Sequence, residues 1–149
     1  MALLFKPEMA EAILDRRKTC TRRRWKRARV KVGSIHKCYI HMPFRKFRIE
    51  PIASRVLPIM GPFEDEDGKK FWMAGPFARV RIVSVDFEWG VMGGLTREQQ
   101  EAEARLEGFA NRLDFYGAWY AINGADSAHD GTYRVEFTLE AEGSGDGEA

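Results

Sequence analysis

Cysteine is scarce in this 149-residue sequence, which contains Cys20 and Cys38 and no others. Two thiols do not provide the framework of several disulfides that stabilises many small secreted domains. No apolar run approaches the ~20 residues that a bilayer-spanning helix requires. The N-terminal segment MALLFKPEMA lacks a basic start followed by an apolar stretch, so we expect no signal peptide. These absences predict a cytoplasmic protein with reduced cysteines and no membrane partner.

Standard zinc-binding motifs are also missing. His36, Cys38 and His41 lie close together, and Cys20 is a further candidate ligand. Their spacing matches no standard zinc motif, and the sequence does not identify the fourth ligand that a tetrahedral site needs. We therefore predict no metal and no cofactor.

Basic residues are concentrated in the first part of the chain. Residues 1–60 carry 16 Lys or Arg and 4 Asp or Glu, a net charge of +12, whereas residues 61–149 carry 8 and 18, a net charge of −10. Such an asymmetry indicates a polyanionic partner, and RNA and DNA are the usual candidates. The alternative is that the acidic part neutralises the basic part within the folded protein.

The pattern of apolar residues predicts a single α+β domain over residues 1–140. Hydrophobic residues make up 44% of the chain and aromatic residues 12%, which are globular values. The last nine residues, 141–149, have no apolar side chains to bury and are predicted to form a disordered acidic tail. The order of elements favours a curved or barrel-like sheet. The predicted strands are 3–5, 30–40, an irregular 47–60, 77–90 and 132–140, and the predicted helices are 7–17, 96–108 and 111–122.

Local signals support several of these boundaries. Pro7 suits the first position of a helix, and Thr96 with Gln99 forms a capping box at the start of another. Asp67-Gly68 is a hairpin signal between two short apolar segments. In the strand at 77–90 the alternation changes phase near Ile82, which predicts a β-bulge.

The segment DRRKTCTRRR, residues 15–24, is strongly basic but contains two threonines and a cysteine. It lies at a helix end or in the loop that follows, where cations interact favourably with the helix dipole. This explanation leaves the threonines unaccounted for. Lys18 and Thr21 are near each other in either case, neighbouring cations lower the pKa of a lysine, and a neutral amine can activate a threonine hydroxyl. The segment is either a solvated basic loop or a site built from Lys18 and Thr21.

The residues that follow combine an aromatic ring with cations. In RRRWKRARVK, residues 22–31, Trp25 is flanked by arginines and lysines. The cations suit phosphate contacts and the ring suits base stacking, whereas the alternative is that Trp25 covers an edge of the core. The predicted nucleic-acid-binding residues are Arg17, Arg22, Arg23, Arg24, Trp25, Lys26 and Arg27.

Three segments resemble the ASCH domain family, whose members have a PUA-like fold. The first, LFKPEMAEAILDRRKTCTRR, is similar to the family's opening strand, helix and Lys-Thr-x-Thr-Arg-like element. The second, LTREQQEAEARLEGF, is similar to its acidic helix ending in Glu-Gly-Phe, and the third is the closing strand YRVEF. Together they span most of residues 3–138 in the family's order, and the pattern is most similar to short stand-alone ASCH proteins of bacteria and their phages.

The resemblance implies a small PUA-like β-barrel with flanking helices and a cleft that binds RNA or a modified base. In bacterial amidohydrolases of this superfamily that act on acetylated cytidine, a lysine, a threonine and a glutamate form the site. These residues correspond to Lys18, Thr21 and Glu107 here. The resemblance implies that Thr21 attacks the acetyl carbonyl, that Lys18 activates it, and that Glu107 moves a proton or orients Lys18. Without the resemblance, Glu107 is interpreted as an ordinary exposed helix residue.

Two departures from the family pattern leave three function classes open. The family's Gly-Asp turn is Gly33-Ser34 here, and the middle of the chain, about 43–75, is longer than in the minimal amidohydrolases. The first class is a domain that binds RNA, DNA or a modified nucleoside through residues 16–31. The second is a hydrolase, either an amidohydrolase on acylated pyrimidine nucleosides or a ribonuclease. The third is a phage-type inhibitor whose basic face docks on an acidic protein surface.

Overall fold

The computed structural model describes residues 1–140, and the predicted acidic tail at 141–149 lies outside the described residues. The strands are β1 (Ala2–Leu4), β2 (Cys20–Arg23), β3 (Ile35–Tyr39), β4 (Ile59–Glu64), β5 (Lys70–Ala74), β6 (Ala78–Trp89) and β7 (Gly131–Leu139). The helices are α1 (Pro7–Leu14), α2 (Arg97–Leu106) and α3 (Arg112–Asn123), followed by a short 3₁₀ helix at Ala125–His129. Within this range, no helix has the length and apolar character to cross a bilayer.

Helix α1 ends before the segment DRRKTCTRRR, residues 15–24, and this segment leads into strand β2. Pro7 occupies the first turn, as predicted, and the last helical residue is Leu14. Arg16 then adopts a φ of +62°, a left-handed conformation that does not continue a helix. Lys18 therefore lies just before strand β2 and Thr21 lies on it, so the two residues do not share a helical face.

Five strands form one mixed sheet in the order β1-β3-β6-β7-β2. Strand β1 is parallel to β3, and the other neighbours are antiparallel. Strands β4 and β5 form a separate hairpin across the predicted Asp67-Gly68 turn. The α+β fold is confirmed, but within residues 1–140 no ladder joins the edge strands β1 and β2, so the sheet stays open. Arg23 Nη2 crosses this seam and donates to the Leu4 carbonyl at 2.8 Å.

The central strands β6 and β7 provide the middle of the core. Val80 and Ile82 from β6 are buried against Val135 and Phe137 from β7, because alternate residues of a strand share a face. The register shifts between Ile82 and Ser84, which confirms the predicted β-bulge. The same cluster includes Leu3, Phe5, Ala10, Ile13, Val30, Cys38, Val56 and Phe77.

Helices α2 and α3 pack together around a second apolar cluster. This cluster contains Val91, Met92, Ala104, Phe115 and Trp119. The predicted capping box at the start of α2 is present, since the threonine hydroxyl accepts from the Gln99 amide at 3.2 Å and the Gln99 side chain accepts from the Thr96 amide at 2.9 Å. A fixed start for α2 determines where its last residues lie, and these residues contribute to the site described next.

Candidate functional site

A backbone contact between distant segments brings the end of α2 to the start of β2. Thr19 N donates to the Leu106 carbonyl at 2.8 Å, and Lys18 forms an isolated antiparallel bridge with Glu107. Gly108 follows with a φ of +96°, and a Cβ at this position would lie 3.2 Å from the Lys18 Cβ. Any other residue would be both strained and crowded here. Glycine at 108 thus allows the close approach that places Glu107 beside Lys18.

The Lys18 side chain is buried and fully hydrogen-bonded. Its Nζ donates to the Cys20 carbonyl at 2.9 Å, to the Glu107 carbonyl at 2.8 Å and to Glu107 Oε1 at 3.2 Å. These three acceptors match the three hydrogens of an ammonium group. Burial lowers the pKa of Lys18, while the negative charge of Glu107 opposes this effect. A lysine with a lowered pKa and a carboxylate partner has the attributes of a general base.

Arg22 lies inside the protein, not on the predicted phosphate-facing surface. Its Nε donates to Glu88 at 2.6 Å, its Nη1 to Glu107 at 3.0 Å and its Nη2 to Glu103 at 2.6 Å. The side chain is 1% exposed. A charge this deeply buried requires partners, because an unpaired one is strongly destabilising. The prediction that Arg22 faces the phosphates on the surface is therefore corrected: three carboxylates hold the side chain inside the protein, beside the cavity described below.

A second arginine extends this charged network. Arg134 on β7 donates to both carboxylate oxygens of Glu103, at 2.6 and 3.1 Å. Partial burial raises the pKa of Glu103, but hydrogen bonds from Arg134 and Arg22 outweigh it and hold the pKa below its ordinary value. The stabilisation from Glu103 is thus present at neutral pH and is lost as the pH falls through this lowered pKa.

A cavity of about 520 Å³ opens at the seam between β1 and β2. Its volume lies within the ~300–1,000 Å³ that is common for small-molecule sites. Its polar lining includes Lys18, Thr21, Arg23 and Glu107. Three of these are the residues that the sequence analysis assigns to one site, and the structure brings them to one cavity. Its apolar lining includes Phe5, Met9, Phe109, Phe115 and Trp119.

Thr21 is a lining residue of this cavity. The residue is 5% exposed, and its Oγ1 accepts a hydrogen bond from Arg23 Nε at 3.2 Å. The Arg23 guanidinium also lies 4.8 Å from the centroid of the Phe5 ring, so it is held from two sides. Among the described residues, no acceptor takes the Thr21 hydroxyl hydrogen. This hydrogen is thus free to bond a ligand.

The other predicted nucleic-acid-binding cations differ in their partners. Arg24 donates to the Asp130 carboxylate, and Arg17 lies 3.6 Å from the carboxylate two residues before it. Lys26 and Arg27 are exposed and form no ion pair with any residue in the range 1–140. Residues 24–31, which contain these two cations, are called the basic segment below.

Trp25 lies at an edge of the core. Its ring is half-buried, packs against the main apolar cluster and contacts Tyr133 with the ring centroids 6.3 Å apart. This position agrees with the second interpretation of Trp25, in which it covers a core edge, and still leaves part of the ring accessible.

Sequence reasoning assigned Glu107 to the site but missed Glu88 and Glu103, the other two carboxylates that bind Arg22. Glu103 and Glu107 are four residues apart, so they lie on one face of α2, and this spacing is a signal that the sequence contains. Glu88 lies on β6 and gives no local signal, because its partner is 66 residues away. Phe5, Phe109 and Phe115 were missed as lining of the cavity, since they come from three separate segments of the chain and share no local pattern.

The candidate metal ligands have other partners. His36 Nε2 lies 2.8 Å from the Ser34 hydroxyl, and its Nδ1 lies 3.0 Å from the Met1 carbonyl. Cys20 and Cys38 are buried free thiols, and burial raises the pKa of Cys38 to about 12. In the described part of the chain, no three His, Cys, Asp or Glu side chains are grouped so as to hold a metal ion.

The architecture is similar to that of two solved structures. One is an ASCH domain from Lactobacillus crispatus JV V101, with a TM-score of 0.53 and 12% identity over 93% of this chain and 77% of that chain. The other is a protein from Enterococcus faecalis V583 of family DUF984, with a TM-score of 0.51 and 12% identity over 99% and 80%. No family model and no curated protein matches the sequence. The chain therefore has an ASCH-type fold.

Proposed function

We propose that this chain binds RNA or a modified nucleoside, with one base in the cavity and the phosphates on the basic segment. The observation that carries the proposal is the lining of the cavity, which combines aromatic rings with the polar groups of Lys18, Thr21 and Glu107. A nucleobase needs both kinds of surface, because its faces stack and its edges form hydrogen bonds. The resemblance to the ASCH family is consistent with this class of ligand.

The polar lining suits the edge of a base. Thr21 has a free hydroxyl hydrogen, and its oxygen already accepts from Arg23. The lysine and glutamate are fixed by their mutual contact, so they would present a constant pattern to a ligand. Binding to a preorganised site of this kind avoids the entropy of ordering several side chains.

The basic segment suits the phosphates of a polynucleotide. Lys26 and Arg27 are exposed and unpaired among residues 1–140. Arg24 lines the cavity at its edge, so the segment starts where the cavity opens. When one base of a polynucleotide lies in the cavity, the neighbouring phosphates lie next to the cations of the basic segment. Such contacts release counterions from the nucleic acid, which favours binding.

Replacing Thr21 by valine is expected to weaken binding of a nucleoside about three- to tenfold, because one hydrogen bond is lost without a change of shape. Cytidine, N-acetylcytidine and uridine are titrated by calorimetry into the wild type and the variant. Thr138→Val is the matched control, since Thr138 is exposed on β7. An equal affinity for all three proteins would contradict binding at Thr21.

Replacing Lys26 and Arg27 together by alanine is expected to weaken binding of an RNA pool and to reduce the slope of log affinity against log salt by about two. Anisotropy titrations at several salt concentrations measure this slope. Arg97→Ala is the control, because this arginine opens α2, is exposed and has no ion-pair partner among residues 1–140. A slope that does not change in the double variant would remove the basic segment from the proposal.

A second candidate is an amidohydrolase acting on an acylated pyrimidine nucleoside. The observation that favours it is the contact of 3.2 Å between Lys18 Nζ and Glu107 Oε1 at a cavity that Thr21 also lines. In this reaction Thr21 Oγ attacks the acyl carbonyl and passes its proton to Lys18. The carbon–nitrogen bond breaks as the leaving nucleoside amine takes this proton from Lys18, and water then hydrolyses the acyl ester, which releases the carboxylic acid and restores the Thr21 hydroxyl. If the protein is incubated with RNA and the RNA is cleaved, the activity is that of a ribonuclease.

Docking on another protein is the third class, and the long middle segment is the feature that favours it. Phe44, Ile49 and Ile52 are each at least 85% exposed, next to several cations. A pull-down that returns one protein and no nucleic acid would favour this class over the first two.

A further inference from the structure

Four aromatic side chains form a continuous row at one end of the β6–β7 pair. The Trp25 and Tyr133 ring centroids are 6.3 Å apart, those of Tyr133 and Phe87 are 5.3 Å apart, and those of Phe87 and Trp89 are 4.9 Å apart. The register pairs Phe87 with Tyr133 and Trp89 with Gly131, so these side chains lie on one face of the sheet. These four residues are called the aromatic row below.

The aromatic row extends from the core into solvent. Trp25 and Tyr133 are half-buried, Phe87 is 45% exposed and Trp89 is 77% exposed. A Cβ at Gly131 would lie 2.7 Å from the Phe87 ring, so the missing side chain lets this ring lie close to the backbone of β7. A contiguous exposed aromatic surface of this kind indicates a binding site, whereas a single exposed apolar residue does not.

The basic segment lies beside this row. Arg23 is registered opposite Tyr133, and Arg24 pairs with Asp130, which immediately precedes Gly131. The segment therefore leaves β2 along the edge of the row. Its exposed cations Lys26, Arg27 and Arg29 are unpaired among residues 1–140.

The carboxylates of β6 next to the row lie on the opposite face of the sheet. Asp86 and Glu88 alternate with Phe87 and Trp89 along β6, so they project away from the aromatic row. Glu88 accepts hydrogen bonds from Arg22 at 2.6 Å and from the Thr132 hydroxyl at 3.0 Å, both within the protein. These two carboxylates therefore do not lie between the rings, and the Asp130 carboxylate at the edge of the row is paired with Arg24.

We propose that the aromatic row is a second binding surface, on which bases of single-stranded nucleic acid stack while the phosphates follow the basic segment. Exposed rings next to cations that are unpaired among residues 1–140, with Asp86 and Glu88 of β6 on the other face, suit a flat and polyanionic ligand. The inference rests on the proposed function, because Arg23 both lines the cavity and neighbours Tyr133. A strand with one base in the cavity continues onto the row.

The test compares substitutions of Trp89, which is exposed and makes no contribution to the cavity lining. Fluorescein-labelled oligouridine and oligodeoxythymidine of about eight nucleotides are titrated by anisotropy. Trp89→Ala is expected to weaken binding about tenfold. Trp89→Leu should weaken binding as much as Trp89→Ala does, although leucine keeps apolar area. Trp89→Phe should retain most of the affinity, because phenylalanine, unlike leucine, has a ring on which a base can stack. Phe44→Ala, at an exposed aromatic residue of the middle segment, is the control and should bind as the wild type does.

Cytidine titrations on the same variants separate the two proposals. Weakened oligonucleotide binding with unchanged cytidine binding supports the second surface. Oligonucleotide affinity that is unchanged in Trp89→Ala, or that is kept by leucine, overturns it and leaves the cavity proposal intact. A wild type that dimerises in sedimentation and becomes monomeric with Trp89→Ala, with no change in oligonucleotide binding, also overturns it in favour of a second copy of the chain.

Discussion

Replacing Glu107 by glutamine is expected to lower the free energy of unfolding by about 3–5 kcal/mol. The Glu107 carboxylate lies 3.2 Å from Lys18 Nζ and 3.0 Å from Arg22 Nη1, and no more than 4% of any of the three side chains is exposed. Glutamine keeps the size of the side chain but removes the negative charge, so two cations remain buried beside a neutral amide. Folded proteins are stable by only ~5–15 kcal/mol, so this loss is a large fraction of the total.

Urea denaturation at pH 7 measures this loss, and Glu101→Gln on the same helix is the matched control. The Glu101 side chain is 33% exposed, lies 3.8 Å from the Arg112 guanidinium and accepts from the Arg112 amide at 2.9 Å. The glutamine carbonyl can keep the bond to the amide, and a partly exposed ion pair at this distance contributes only ~0–1 kcal/mol. The control should therefore resemble the wild type. If Glu107→Gln also resembles the wild type, then Glu88 and Glu103 suffice to hold the buried cations, and Glu107 is not their essential partner.

Features that depend on neighbouring residues were predictable from the sequence. The capping box at Thr96, the hairpin at Asp67-Gly68 and the β-bulge after Ile82 are all present. Each is determined by backbone or side-chain interactions within a few residues. A stretch of a few residues thus contains every group that takes part in the interaction, so these features can be predicted without knowledge of the rest of the fold.

Strand β2 was not predictable in the same way. Its four residues, CTRR, contain no apolar alternation, and the sequence therefore places them at a helix end or in a loop. They form a strand because they pair with β7, more than 100 residues later in the chain, from Cys20 opposite Glu136 to Arg23 opposite Tyr133. The open seam depends on the same long-range pairing, because β2 joins β7 and not β1.

Lys18 and Thr21 were suggested by their local spacing, but the assignment of Glu107 to the same site was predictable only through the family resemblance. Lys18 and Glu107 are 89 residues apart, and their contact depends on the close approach at Gly108. Arg22 shows the opposite case, since a run of cations favours a solvated surface until the carboxylates that bury it are known. Charge alone does not tell a phosphate-binding arginine from one that holds the interior together.

The buried contact between Lys18 and Glu107 makes Lys18 the decisive residue for the hydrolase candidate. Lys18→Met is expected to reduce kcat/KM for N-acetylcytidine by about 10²–10⁴, because the Thr21 proton then has no acceptor. Methionine is apolar and similar in length, so Glu107 keeps its contact with Arg22. Deacetylation is followed by mass spectrometry, and the melting temperature of each variant is recorded. Lys37→Met, at an exposed lysine on β3, is the control.

The pH dependence separates a catalytic lysine from a structural one. A general base must be neutral, so kcat/KM should rise with pH up to the pKa of Lys18 and level off above it. Burial lowers this pKa from 10.5, and the Glu107 carboxylate opposes the shift. Glu107→Gln removes that opposing charge, so the rise should move to lower pH in folded protein. If the midpoint is the same in both proteins, or if Lys18→Met still deacetylates, then Lys18 serves the fold and is not the general base.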